Sequence, residues 1–237
     1  KSVIWLFMNG GPSQVDTWDY KPELEKRDGK ELAGFDQTTG FFAGQGGPLM
    51  KSPFKFAQHG ESGAWVSEIF PHVARCVDDI AFIHSMHTDI PNHASAFVQL
   101  HTGSTQFVRP SLGAWTLYGL GTENANLPAF IAMVSQGTGK NPGQPVFSRL
   151  WGSGFLPSRY QGVRFRSEGE PILYLANPEG MPAQLRRGMR DDIAELNRKK
   201  LTEFGDPEID TRITQYEMAY RMQTSVPELL DISKEPA

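Results

Sequence analysis

The residues best equipped for chemistry stand in two short polar stretches, each following an apolar run. The denser one reads Asp89-Ile90-Pro91-Asn92-His93-Ala94-Ser95-Ala96, with Thr102-Gly103 beyond it. The run Ile80-Ala81-Phe82-Ile83 leads in and a helix leads out. Proline fixes such a turn, and the first helical residues keep backbone N–H groups without helical partners. Those amides and the helix dipole favour an anion. Asn92 and His93 sit at that place. His84, His87 and His93 share the stretch with Asp89, and histidine is both a common metal ligand and an acid–base group. The histidine spacing suits no single helix face and no zinc-finger pattern. Thr88 and Ser95 are possible nucleophiles without an assignable base. His84 falls within the strand expected over 80–85 and reads as a hydrogen-bonded core residue. His101, beside Thr102-Gly103, reads as closing the helix; His59 and His72 read as structural.

The other stretch is Asn9-Gly10-Gly11-Pro12-Ser13-Gln14-Val15-Asp16-Thr17-Trp18-Asp19. Its glycines permit a tight turn off a strand. Asn9 and Asp16 offer oxygen to a hard cation or to zinc; alternatively Asp16 or Asp19 caps the helix or turn that follows. A third segment, Leu150 to Gly162, is aromatic, rich in glycine and carries Arg159. It reads either as a substrate lip, with Arg159 pairing an anion, or as a packed loop.

These groups need elements to hold them. Residues 3–8 (Val-Ile-Trp-Leu-Phe-Met) form an apolar run that predicts a strand buried on both faces. A long excursion over 20–64, rich in Gly, Lys and Pro, carries short helical pieces. A helix is expected over 66–78, a second buried strand over 80–85, and helices over 92–101 and 111–118. Leu127 to Val134 predicts a third strand, 135–172 a long loop, and 172–175 a short strand. Leu185, Met189, Ile193 and Leu196 recur at helical spacing, as do Ile209, Ile213, Tyr216 and Tyr220. Between them Gly205-Asp206-Pro207 supplies a glycine stop, an Asp cap and a first-turn proline. Strands alternating with helices predict one α/β domain over 1–237 with a mostly parallel sheet. Right-handed crossovers would then bring 9–19 and 85–95 to one sheet edge.

Composition narrows the function. The 237 residues carry a net charge of −4, which leaves no electrostatic footprint for nucleic acid. The basic cluster at 186–200 alternates with acids and reads as a solvated helix face. The single cysteine, Cys76, reads as a buried thiol and excludes an intrachain disulfide. No run is long enough for a membrane-spanning helix. The chain starts at Lys1 almost flush with its first apolar run and holds no signal segment, so upstream sequence, a targeting segment among the candidates, is expected to be missing.

Several segments together resemble one large bacterial family. They are Phe7 to Asp19, Ser85-Met86-His87-Thr88, Ser111-Leu112-Gly113-Ala114-Trp115, Leu150-Trp151-Gly152-Ser153-Gly154-Phe155-Leu156-Pro157, and Arg221-Met222-Gln223-Thr224-Ser225-Val226-Pro227-Glu228. The resemblance spans essentially the whole chain and is to the sulfatase-like domain of unknown function numbered 1501. That family is placed in the alkaline phosphatase-like superfamily. The resemblance implies an α/β/α sandwich with a mostly parallel sheet, and a divalent metal, zinc or calcium. It implies export to the periplasm or beyond. It also implies that this chain is the N-terminal half, with further ligands in a missing C-terminal half.

The reading of the residues and the resemblance together make Asp89, His93 and Asn92 the catalytic candidates, Asn92, Ser13 and Arg159 the substrate-binding ones, and Asp16, Asn9 and Asp89 the metal ligands. Pro91-Asn92-His93 with Thr102-Gly103 is similar to a segment of the nucleotide pyrophosphatase branch. There a catalytic threonine stands two residues before the proline; here that position is Asp89, and the segment is one helical turn longer. The sulfatase signature, a modifiable Cys or Ser ahead of Pro-x-Arg, is absent, and Asn9 falls where the superfamily has a metal-binding aspartate. The expected activity is therefore hydrolysis of a sulfate or phosphate ester, in a small anionic ester or sulfated glycan, by a metal-bound water. The alternative is a binding or scaffold protein that kept the fold and lost the nucleophile. A third expectation is that the half-domain alone is inactive and leaves a sheet edge open to pairing.

Overall fold

The computed structural model describes residues 2–32, 34, 44, 46–134, 146–166, 172 and 177–229. The chain gathers into two compact units, Lys1–Pro91 and Asn92–Ala237. Both combine helices with a small sheet, so the class is mixed α/β.

The first unit holds a short helix, α1 (Pro22–Lys26), and an antiparallel hairpin of β1 (Phe56–His59) and β2 (Ala64–Ser67). Gly60 and Gly63 bracket its turn at φ 66° and 64°, where side chains with a Cβ are strained. The Asp78 carboxylate accepts the turn amides of Glu61 and Ser62, both at 2.9 Å. Those amides hold the Asp78 carboxyl below its usual range. Val66, Ala74 and Val77 form the core, with Trp18, Ala64, Phe70 and Phe82 packed on it. Trp18 stacks on Phe70 at 4.8 Å, and the Ser67 amide donates to the Thr17 carbonyl at 3.0 Å.

Three expectations fail in this unit. Residues 3–8 form no strand, and Leu6 is 83 % exposed. An apolar run becomes a central strand only with ladders on its edges, and β1 and β2 are paired with each other. Residues 80–85 also form no strand: Phe82 tucks into the core while Ile83 stays 71 % exposed. The helix over 66–78 is replaced by the end of β2 and a 3₁₀ helix at Val73–Asp79. Pro71 offers no amide and disfavours helical backbone at Phe70. The tighter helix changes which side chains face inward. At three residues per turn Ala74 and Val77 align toward the core, and Cys76 faces out, so the thiol is exposed, not buried. The excursion at 20–64 contains α1 as expected, and also β1.

The second unit holds α2 (His93–Thr102), α3 (Leu112–Leu120), β3 (Ile131–Met133), β4 (Val163–Phe165), α4 (Ala183–Phe204) and α5 (Pro207–Leu229). β3 and β4 are parallel, with Ile131 opposite Val163 and Met133 opposite Phe165. The strand expected at 127–134 is thus present only in its C-terminal half, at Ile131–Met133. Phe165, Met222 and Val226 form the core against Leu127, Ile131, Val163 and Met218; burying such side chains contributes about 1.5–3 kcal/mol each. The segment 146–166 of the expected loop holds two 3₁₀ turns, Ser148–Trp151 and Ser158–Tyr160, and β4. The short strand expected at 172–175 lies outside the described residues except for Ile172.

The junction of α4 and α5 forms as read. Gly205 adopts φ 66° and its amide closes α4 on the Leu201 carbonyl at 2.8 Å. The Asp206 carboxylate accepts the Glu208 amide at 2.9 Å, and Pro207 opens α5. The facing surfaces differ from expectation. Leu185, Met189, Ile193 and Leu196 remain exposed. Instead Arg190, with only 15 % of its side chain exposed, lies over the Tyr220 ring at 4.4 Å and pairs with Glu217 at 3.1 Å. The cluster at 186–200 is therefore only partly a solvated face. Among the described residues no helix is long and apolar enough to cross a membrane.

Candidate functional site

The stretch after Met8 turns through two glycines in left-handed conformation, Gly10 at φ 89° and Gly11 at φ 75°. A 3₁₀ turn, Gln14–Asp16, follows. Thr17 is buried and its hydroxyl donates to the Ser13 carbonyl at 2.9 Å. The Asp16 carboxylate is hydrogen-bonded by the Ser52 and Ser13 hydroxyls, and those bonds hold its pKa below the ordinary value. Asp16 ends its turn and Asp19 pairs with Lys21 at 2.7 Å; neither is a helix cap. Asn9 and Ser13 are exposed, and Ser13 and Asp16 are joined directly.

The stretch after Ser85 divides between the units. His84, His87, Thr88 and Asp89 are exposed members of the first. His84 lies 5.8 Å from the Phe82 ring in a stacked pose, which corrects its reading as a core residue: with no strand at 80–85, its side chain has no interior to enter. The Thr88 hydroxyl accepts the Ile90 amide at 3.3 Å and shapes the turn.

Asn92 opens the second unit as the N-cap of α2, its Oδ1 accepting the Ala94 amide at 3.0 Å and the Ser95 amide at 3.5 Å. The Asn92 carbonyl takes the Ala96 amide at 2.9 Å. The helix-start amides expected to face a ligand are thus largely satisfied by Asn92 itself. His93 is exposed, its ring 6.1 Å from Phe97. His101 closes the last turn as expected: its Nδ1 meets the Phe97 carbonyl at 2.8 Å, and burial pushes its pKa down. Gly103 ends α2 at φ 72°, and the buried Thr102 hydroxyl donates to the Val98 carbonyl at 2.8 Å.

The base of the segment 150–162 is the packed loop that was one of the readings offered for it. Leu150, Trp151 and Ser153 are buried, and the Gly152 carbonyl accepts the Ser111 amide at 3.0 Å. Gly154 stands at φ 59°, where a Cβ would lie 2.3 Å from the Arg109–Pro110 backbone. Ser158 donates through its amide and hydroxyl to Glu208 at 3.2 and 2.9 Å. Above this packed base Arg159 is exposed; its guanidinium lies 4.8 Å over the Tyr160 ring and donates to Tyr160 Oη at 2.8 Å.

Sequence reasoning missed the neighbours of this lip. Trp115 and Tyr118, three residues apart on α3, line up with Phe155 and Tyr160. The i, i+3 spacing put Trp115 and Tyr118 on one helix face, but only the fold brings the loop beside it.

The site residues therefore fall in both units: Asn9, Ser13, Asp16 and Asp89 in the first, Asn92, His93 and Arg159 in the second. Among the described residues no three His, Cys, Asp or Glu side chains gather to hold a metal. Asn9, Asp16 and Asp89 supply two carboxylates and an amide. Zinc sites draw mainly on nitrogen and sulfur ligands and calcium takes six to eight oxygens, so this donor set fits neither metal. Comparison with curated proteins found no match, and neither did comparison with solved structures. The family model described as Protein of unknown function (DUF1501) matches residues 1–237, and the chain belongs to that family.

Proposed function

We propose that this chain is the ester-recognising part of an exported hydrolase of sulfate or phosphate esters, with residues 1–237 belonging to one alkaline phosphatase-like domain. The supporting observation is the start of α2, where exposed Asn92 and His93 meet the positive end of a ten-residue helix. Two functions follow from the chemistry of the side chains. Asn92 can exchange its bonds to Ala94 and Ser95 for a tetrahedral anion, releasing amides to hold it. His93 can give a proton to a leaving alkoxide or take one from water. Within the same unit Arg159 is the anion-binding candidate; Asp89, at the position of the superfamily's nucleophile, and Ser13 lie in the first unit and enter this reading only through the family resemblance. A divalent metal belongs to this reading only through the family resemblance; no step is assigned to it.

The test is metal analysis of purified protein together with turnover of an aryl sulfate and an aryl phosphate, with and without chelator. Turnover of one of the two esters is expected, with His93→Ala lowering the rate about a hundredfold or more; the metal analysis and the chelator decide whether that rate needs a metal at all. Metal-free protein that turns over neither ester overturns the proposal.

A second reading is a binding protein without catalysis. Asn92 acting as an ordinary helix cap favours it. Under this reading Asp89→Ala leaves anion binding intact and no ester is turned over; a loss of turnover in Asp89→Ala sinks it.

A further inference from the structure

We propose that the second unit carries a carbohydrate-binding face: the row Phe155, Trp115, Tyr118 and Tyr160, ending at Arg159, takes a glycan bearing acidic groups. Trp115 meets Phe155 at 5.7 Å and 74°, and Tyr118 at 5.8 Å and 80°. Tyr118 meets Tyr160 at 5.4 Å and 77°. Each contact is edge-to-face. The row thus presents separate ring surfaces, each about the size of a pyranose, in place of one continuous apolar plane.

These rings are not core. Phe155 is 66 % exposed and Trp115 42 % exposed. A contiguous exposed aromatic patch marks an interaction surface. It is also held in place. α3 is capped by the fully buried Ser111, and the loop is anchored through buried Trp151 and through Ser158 on Glu208. A preformed surface loses little entropy on binding.

Sugar chemistry matches what is offered. The C–H faces of a pyranose lie on aromatic faces while its hydroxyl rim needs polar partners, which Tyr118 and Tyr160 hydroxyls provide. Arg159 adds the charge. Its bond to Tyr160 uses one of five guanidinium N–H donors, and its plane suits a sulfate or carboxylate. The Glu208 carboxylate is engaged by the Ser158 amide and hydroxyl. The inference deepens the role given to Arg159 above and rests on it for the acidic group alone.

The test is calorimetric titration of the full chain with a heparin-derived hexasaccharide and with its desulfated counterpart. Saturable binding of the sulfated sugar is expected. Phe155→Ala, at a highly exposed position where folding is least at risk, and Trp115→Ala should each weaken it about tenfold, while Trp115→Phe retains most of it. Arg159→Gln should abolish the preference for the sulfated form. The proposal is overturned by absence of saturable binding, by binding that Phe155→Ala and Trp115→Ala leave unchanged, or by a dimer that Trp115→Ala dissociates, since a second copy would then occupy the face. Glycan binding without ester turnover sinks hydrolysis and keeps this proposal; ester turnover without glycan binding does the reverse.

Discussion

Helices α2 and α3 lie in the same unit and begin alike, yet their starts are built for different ends. Each is capped by a side chain: Asn92 for α2 and Ser111 for α3. Asn92 is exposed and can leave its amides at little cost beyond the cap bonds. Ser111 is fully buried, and its own amide is tied to Gly152 in the loop. A cap in water is exchangeable and a cap in the interior is an anchor, because an orphaned buried polar group costs more than an exposed one. The comparison sets an exchangeable cap at the start of α2 beside an anchored one at the start of α3.

The most damaging way to probe that contrast is Gly154→Ala. It forces a Cβ onto the Arg109–Pro110 backbone just ahead of Ser111, at a φ of 59°. Backbone strain and overpacking together should cost about 3 kcal/mol or more, a loss of roughly 6–12 °C in melting temperature for a chain of this size. A variant that melts within a degree of wild type would show that the loop is not anchored where α3 begins.

A finer comparison sets Ser111→Ala against Asn92→Ala. Loss of a cap costs about 1 kcal/mol in either helix, and the buried Ser111 should cost up to about 2 kcal/mol because unpaired amides are stranded there. Equal melting temperatures for the two variants would erase the distinction between anchor and exchangeable cap. The smallest effect is the pH response of α2. Burial lowers the pKa of His101 from its ordinary value of about 6.5, so the unfolded chain takes up its proton first as pH falls. The stability His101 contributes is full above about 6.5 and is lost as pH drops from there through the folded-state pKa. His101→Gln should flatten the melting-temperature profile on the acid side of 6.5, and an unaltered profile would remove His101 from the account.

What was legible in the sequence was local. Gly205-Asp206-Pro207 specified a stop, a cap and a start through backbone geometry, and all three formed. Thr102-Gly103 closed α2 for the same reason. Pairing was not legible. Val3 to Met8 has the apolarity of a central strand, but hydropathy does not supply the neighbours a strand needs, and the run stands exposed. The α4 stripe failed similarly: helical spacing located an apolar face, while the partner helix engaged Arg190 and left Met189 and Ile193 in water. Cys76 was misplaced because a 3₁₀ helix and an α-helix of the same residues turn different side chains inward. Among the site candidates, the cap role of Asn92 went unread although its residue type favours it, and the company of Arg159 depended on residues some forty positions away on α3.

The exposed run from Val3 to Met8 has a consequence for the protein as a material. Six consecutive apolar residues, four of them β-branched or aromatic in type and none charged, match the composition of segments that stack into dry cross-β interfaces. Lys1 is the one charge beside the run and Gly10-Gly11-Pro12 the break after it. Charge and proline beside such a run act as gatekeepers against propagation, and salt screens the charge, so raising the salt concentration should lower the solubility of the protein.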